Sequence, residues 1–159
     1  MQANRRVFLK GSLAASAVGL AVGAGLLSPR AVLAADAAGW PAAAYDAKDF
    51  DTALKAVFGA TGPAESKDIT VKAPDIAENG AVVPVTIESA IAGTDNIAIA
   101  VKGNPNPLVA NFKFDGAQPF ASTRIRMGKT DNVIGIAHAG GKLYMAEKQV
   151  KVTIGGCGG

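Results

Sequence analysis

From residue 83 onward the chain repeats apolar positions at a period of two. Val83, Val85 and Ile87 alternate with Pro84, Thr86 and Glu88, and Ile97, Ile99 and Val101 follow. Leu108, Ala110, Phe112 and Phe114 continue the pattern, and Thr123, Ile125 and Met127 alternate with Ser122, Arg124 and Arg126. After the run Val133 to His138, the final segment places Tyr144, Ala146, Val150, Val152 and Ile154 on one face. Side chains two apart share one face of a strand, so each stretch predicts a half-buried β-strand. Turn formers separate them: Asn79-Gly80, Gly93-Thr94-Asp95-Asn96, Asn104-Pro105-Asn106-Pro107, Asp115-Gly116 and Gly140-Gly141. Upstream the period is helical, with Phe50, Leu54, Val57 and Phe58 on one face, Asp46 as cap, Asp49 in the first turn and Gly59 past the end. Thr61-Gly62-Pro63 breaks the chain between the two regimes. About seven short strands in about 100 residues predict an all-β fold, an immunoglobulin-like antiparallel sandwich with a short N-terminal helix. No Cys–Trp–Cys pattern is present, which excludes a true antibody-type domain.

Strand edges in such a sandwich need protection, and only 18% of residues are charged, few of them in strands such as Ile97 to Val101. Two explanations stand side by side: loops and the N-terminal helix cover the edges, or a permanent partner domain does.

The length of 159 residues suits one globular domain. The net charge of +3 is unevenly placed. Residues 1–34 carry Arg5, Arg6, Lys10 and Arg30 and no acid, whereas the rest holds 12 basic and 13 acidic residues. Nothing basic is left there to attract nucleic acid. The N-terminal stretch begins Asn4-Arg5-Arg6-Val7-Phe8-Leu9-Lys10 and continues with an apolar run from Leu13 to Leu27. That order predicts a signal peptide over 1–34, cleaved between residues 34 and 37, and the run is short for a membrane span. The paired arginines resemble a twin-arginine export signal, with Asn4 where that signal prefers Ser or Thr. The expectation is a periplasmic protein, exported folded and free of the membrane after cleavage, with a domain over 40–154.

One Cys and one His exclude an internal disulfide, Cys-rich metal clusters and most His-based metal sites, so no metal or cofactor is expected. The cysteine stands in the last five residues, Gly155-Gly156-Cys157-Gly158-Gly159, directly after the final predicted strand. Glycine resists a fixed conformation, so Gly155, Gly156, Gly158 and Gly159 predict a flexible arm. Three extended residues beyond Ile154 reach on the order of 10 Å. An unperturbed thiol is mostly protonated at neutral pH, and the arm has no adjacent Lys, Arg or His to activate it. A nucleophile in its own active site needs a fixed base and a pocket, so Cys157 reads as a handle presented to other proteins and the chain as a non-enzyme. The sole histidine, His138, lies on a half-buried strand and fits a structural role. Asp131 and His138 stand seven residues apart and need not meet. A terminal cysteine in an oxidising compartment also suits an intermolecular disulfide, so an exported sandwich module linked through Cys157 is the alternative reading.

The ending Val150-Lys-Val-Thr-Ile-Gly-Gly-Cys-Gly-Gly159 resembles the Y subunit of the periplasmic Sox thiosulfate-oxidation system, the SoxY family. Thr123-Arg-Ile-Arg-Met127, Gly140-Gly-Lys-Leu-Tyr144 and Asn79-Gly-Ala-Val-Val-Pro-Val-Thr-Ile-Glu88 extend the likeness over most of residues 40–159. The resemblance implies a covalent sulfur carrier whose Cys157 holds S-thiosulfonate and persulfide intermediates. It implies a heterodimer with a Z-type β-sandwich subunit. It also implies a haem-containing conjugating enzyme, a manganese-dependent sulfate-releasing hydrolase and, in some systems, a molybdenum-containing sulfur dehydrogenase.

Overall fold

The computed structural model describes residues 41–153, which begin with two short helices, α1 (Ala42–Asp46) and α2 (Phe50–Phe58). Asp49, extended at φ −128°, is the N-cap of α2, and its carboxylate accepts the Thr52 amide at 2.8 Å. This corrects the sequence expectation, which placed the cap at Asp46; Asp46 instead ends α1. Only Asp49 immediately precedes the apolar-periodic segment, so only its oxygen reaches the orphan amide of the first turn. Gly59 closes α2 in the left-handed region at φ 70°, donating its amide to the Lys55 carbonyl at 2.9 Å, as a C-terminal glycine should.

Nine strands follow: β1 (Ala64–Glu65), β2 (Ile69–Lys72), β3 (Ile76–Ala77), β4 (Val83–Ser89), β5 (Thr94–Val101), β6 (Leu108–Lys113), β7 (Phe120–Ile125), β8 (Asp131–Ala139) and β9 (Lys142–Val152). They form two sheets, a larger one ordered β1-β9-β8-β5-β6 with β3 also on β9, and a smaller one ordered β2-β4-β7. The β-sandwich expected from the period-two pattern is present, with the short strands β1 to β3 added to it. The main pairings are antiparallel, but the two-residue strands β1 and β3 pair with β9 in parallel. Both lie on the outer edge of β9 and cover its two ends, so the chain itself shields the longest strand.

The layers follow from side-chain alternation. Val83, Val85 and Ile87 of the smaller sheet meet Ile97, Ile99, Val101 and Val133 of the larger one in a buried core between the sheets. On the opposite face of the larger sheet, Ala98, Ala100, Ile134 and Ile136 pack beneath Ala44, Ala53 and Leu54 of the helices. Strands β5 and β8 are therefore buried on both faces, which explains their almost continuous apolar runs. The small Ala98 and Ala100 leave room for α2, and burying Leu54 completely is worth about 1.5–3 kcal/mol. At Gly135 the two sheets approach closely, for an added Cβ would meet two methyl carbons of Ile87 at 2.9 Å. Strand β6 departs from a simple alternation. A register shift opposite Ile99 and Ala100 sends Leu108 to the helix side, while Ala110, Phe112 and Phe114 pack toward the core between the sheets.

Candidate functional site

The cysteine and the glycines expected to present it, Gly155, Gly156, Cys157, Gly158 and Gly159, lie outside the described residues, as does the expected signal segment 1–34. The structure does describe the point from which they continue. Val150 is fully buried and Val152 packs against the core, so the last turn-free stretch of β9 is anchored by its inward side chains. Its backbone is tied on both flanks. On one side the Lys151 amide donates to the Asp75 carbonyl at 2.9 Å and the Thr153 amide to the Ala77 carbonyl at 3.1 Å, through the parallel pairing with β3. On the other side the Val152 amide donates to Thr130 Oγ1 at 2.9 Å. Lys148 adds an ion pair with Asp75 at 3.1 Å.

The loops at this end of the sandwich are laced to one another. Met127 donates its amide to the Gly80 carbonyl at 2.7 Å, and a side chain at Gly80 would collide with the Met127 carbonyl and Val152. Asn104 bridges two loops, giving its side-chain amide to the Arg126 carbonyl at 2.7 Å and accepting the Gly128 amide at 3.1 Å. Asp131, at the start of β8, accepts the amide of Gly103. The backbone of β9 is thus held from both flanks up to Thr153.

Among the described residues at this root are exposed charged side chains. Lys151 is tied to the Asp75 segment by its backbone, and Lys151, Asp75, Glu78, Arg126 and Lys129 are all exposed. Among the described residues, no group of three His, Cys, Asp or Glu side chains is arranged to hold a metal ion. Asp131 and His138 do not meet: Asp131 pairs opposite Val150 and His138 opposite Leu143, near the two ends of β8. His138 is partnered elsewhere, with Nδ1 2.5 Å from Asp95 Oδ1. Sequence reading missed the residues that seat the end of β9, namely Asp75, Ala77, Gly80 and Thr130. The Asn79-Gly80 turn signal was the one trace of them. No described helix is long and apolar enough to cross a membrane.

Comparison with known proteins adds an independent line. The model of a family described as sulfur oxidation protein SoxY matches residues 54–157. Among solved structures, the sulfur carrier protein SoxY from Chlorobium limicola f thiosulfatophilum is 48% identical, with a TM-score of 0.60, over 65% of this chain and 96% of that one. An engineered protein aligns at 15% identity over 54% of this chain and 20% of its own, with a TM-score of 0.38, too low to support an argument. A search of curated proteins gave no match.

Proposed function

The chain belongs to the sulfur oxidation protein SoxY family, and on that premise we propose that it is a sulfur carrier of the Sox system whose cargo is bound covalently to Cys157. One observation carries the assignment of the residue: the family match runs to residue 157 and so takes in the only cysteine of the chain. The anchored end of β9 supports it, because a handle is useful only if its base is fixed.

In this reading a haem-containing partner joins the Cys157 thiolate to thiosulfate. A sulfur–sulfur bond forms, the partner accepts two electrons, and an S-thiosulfonate remains on the chain. A manganese-dependent hydrolase then adds water across the terminal sulfur–sulfur bond, releasing sulfate and leaving a persulfide. A molybdenum-containing dehydrogenase, where one operates, oxidises that sulfur, and a second hydrolysis returns the thiol. Tethering keeps reactive sulfur at high effective concentration before each enzyme in turn. The same reading makes the protein periplasmic, exported folded on a twin-arginine signal over 1–34, and paired with a Z-type sandwich subunit.

The test is substitution of the thiol. Cys157→Ser should abolish thiosulfate-dependent turnover by the reconstituted system while leaving the fold intact; a folded Ser variant with substantial turnover refutes the carrier role. Gly155→Val with Gly156→Val tests the narrow approach to Cys157. Bulky β-branched residues there should slow enzymatic loading far more than reaction with a small alkylating reagent. Equal loss in both assays means the thiol itself is perturbed. A purified protein that carries no sulfur adduct and forms only a reducible dimer supports the disulfide-linked module instead.

A further inference from the structure

On the helix-covered face of the larger sheet, the pairing register aligns Lys113 of β6, Asn96 of β5 and His138 of β8 across three neighbouring strands. Behind them β5 and β8 turn apolar, with Ala98 beside Ile136 and Ala100 beside Ile134 under the helices, while β6 places Asn111 beside Ala98. A register shift between Thr94 and Asn96 accompanies the approach of Asp95 to His138, Oδ1 to Nδ1 at 2.5 Å. Phe58, the last residue of α2, stacks on the imidazole with 5.7 Å between ring centres and an angle of 17°. With Phe114 and Asp115 these side chains line an open groove of about 490 Å³.

Asn96 is only 7% exposed, and its Oδ1, like that of Asn111 in the next row, is shut off from solvent and makes no hydrogen bond among the described residues. Folded proteins pair nearly all such groups, so this carbonyl lacks a donor in the isolated chain. The rest of the groove is also rich in acceptors. Asp95 has a second carboxylate oxygen and Asp115 brings another carboxylate. Lys113, the lysine among the lining residues, is exposed.

We propose that this groove receives the guanidinium of an arginine side chain from a partner protein. Guanidinium is planar, always charged and equipped with five donors, so it can stack on Phe58 or Phe114 while serving Asn96, Asp95 and Asp115 together. The terminal torsion of Asn96 is soft, and its rotation turns the carbonyl toward an entering donor. The groove is open to the surface, as a long side chain entering from another protein requires. Its position also matters. His138 pairs with Leu143, and β9 then runs to Val152, a distance of about 30 Å at ~3.3 Å per residue. A protein gripping this groove leaves the far end of β9 clear, which suits a subunit that stays bound while Cys157 meets other proteins. Only that last point rests on the carrier reading; the groove's choice of ligand does not.

The experiment is an NMR titration of the full isotopically labelled chain with Nα-acetyl-arginine methylamide, set against its citrulline analogue, which has the same shape without the charge. The arginine compound should saturably shift the Asn96 side-chain amide and the His138 ring. The citrulline compound should bind about tenfold more weakly, since its hydrogen bonds lose charge assistance. Asp115→Asn should weaken arginine binding several-fold without altering the rest of the spectrum, and Asn96→Leu should abolish it. Asp115→Asn alone decides the matter if Asn96→Leu fails to fold. Absent shifts, equal citrulline binding, or binding indifferent to Asp115→Asn overturns the proposal. So does displacement of the same signals by sulfate or thiosulfate in place of arginine, which would make the groove an oxyanion site.

Discussion

Thr130 Oγ1 accepts the amide of Val152 at 2.9 Å and lies 3.4 Å from the carbonyl of that same residue, so one hydroxyl from the β7–β8 loop satisfies both backbone groups at the end of β9. The neighbouring Thr153 is held by Ala77 from the other flank. The consequence is a strand end held from both flanks at Val152 and Thr153.

Thr130→Val keeps the shape of the side chain and removes both bonds. It should cost about 1 kcal/mol of global stability and speed amide exchange at Val152 far more than at Val133 in mid-sheet. Unchanged protection at Val152 would show that β3 alone fixes the end of the strand.

Gly135 marks the closest approach of the two sheets, with Ile87 carbons at 2.9 Å and a Val71 methyl at 3.2 Å from the position of an added Cβ. Gly135→Ala should overpack this contact and destabilise by about 1–3 kcal/mol in urea unfolding. Ile87→Val removes one of the offending carbons, so in the double variant part of that loss should return. Strictly additive losses would place the strain elsewhere.

The Asp49 cap gives α2 a pH dependence of known sign. Hydrogen bonds from Thr52 hold the Asp49 carboxyl below the usual carboxylate range. A depressed folded-state pKa means that the carboxylate's contribution is present above the ordinary Asp range and is lost as pH falls through the folded value. Exchange protection of the α2 amides should therefore decline on acidification. Asp49→Asn, which can cap without titrating, should flatten that part of the profile. An identical acid profile in the Asn variant would assign the decline to other carboxylates.

The long strands were legible because each buries one or both faces continuously. β4 alternates cleanly between core and surface, and β9 sends Tyr144, Ala146, Val150 and Val152 to the same side, as their spacing predicts. The strands β1 and β3 are two residues long, carry no period, and exist only because β9 offers them an edge. The leading candidate, Cys157, was visible as the only thiol among glycines. The anchoring of the end of β9 was not, since Thr130, Ala77 and Asp75 meet that strand only through tertiary register. The row Lys113–Asn96–His138 was hidden for the same reason: three residues from three strands share a line only after pairing is set. Asp95 read as part of a turn, and its approach to His138 depends on how β5 registers against β8.

The central claim is that sulfur is carried on Cys157, and mass spectrometry of the C-terminal tryptic peptide tests it most directly. Cleavage after Lys151 releases residues 152–159 with the only cysteine of the chain. After incubation with thiosulfate and the conjugating partner, that peptide should gain the mass of a thiosulfate-derived adduct. The adduct should shrink to a single added sulfur once the sulfate-releasing hydrolase is supplied, and reductant should remove it. A peptide that stays unmodified while the reconstituted system consumes thiosulfate would contradict the account.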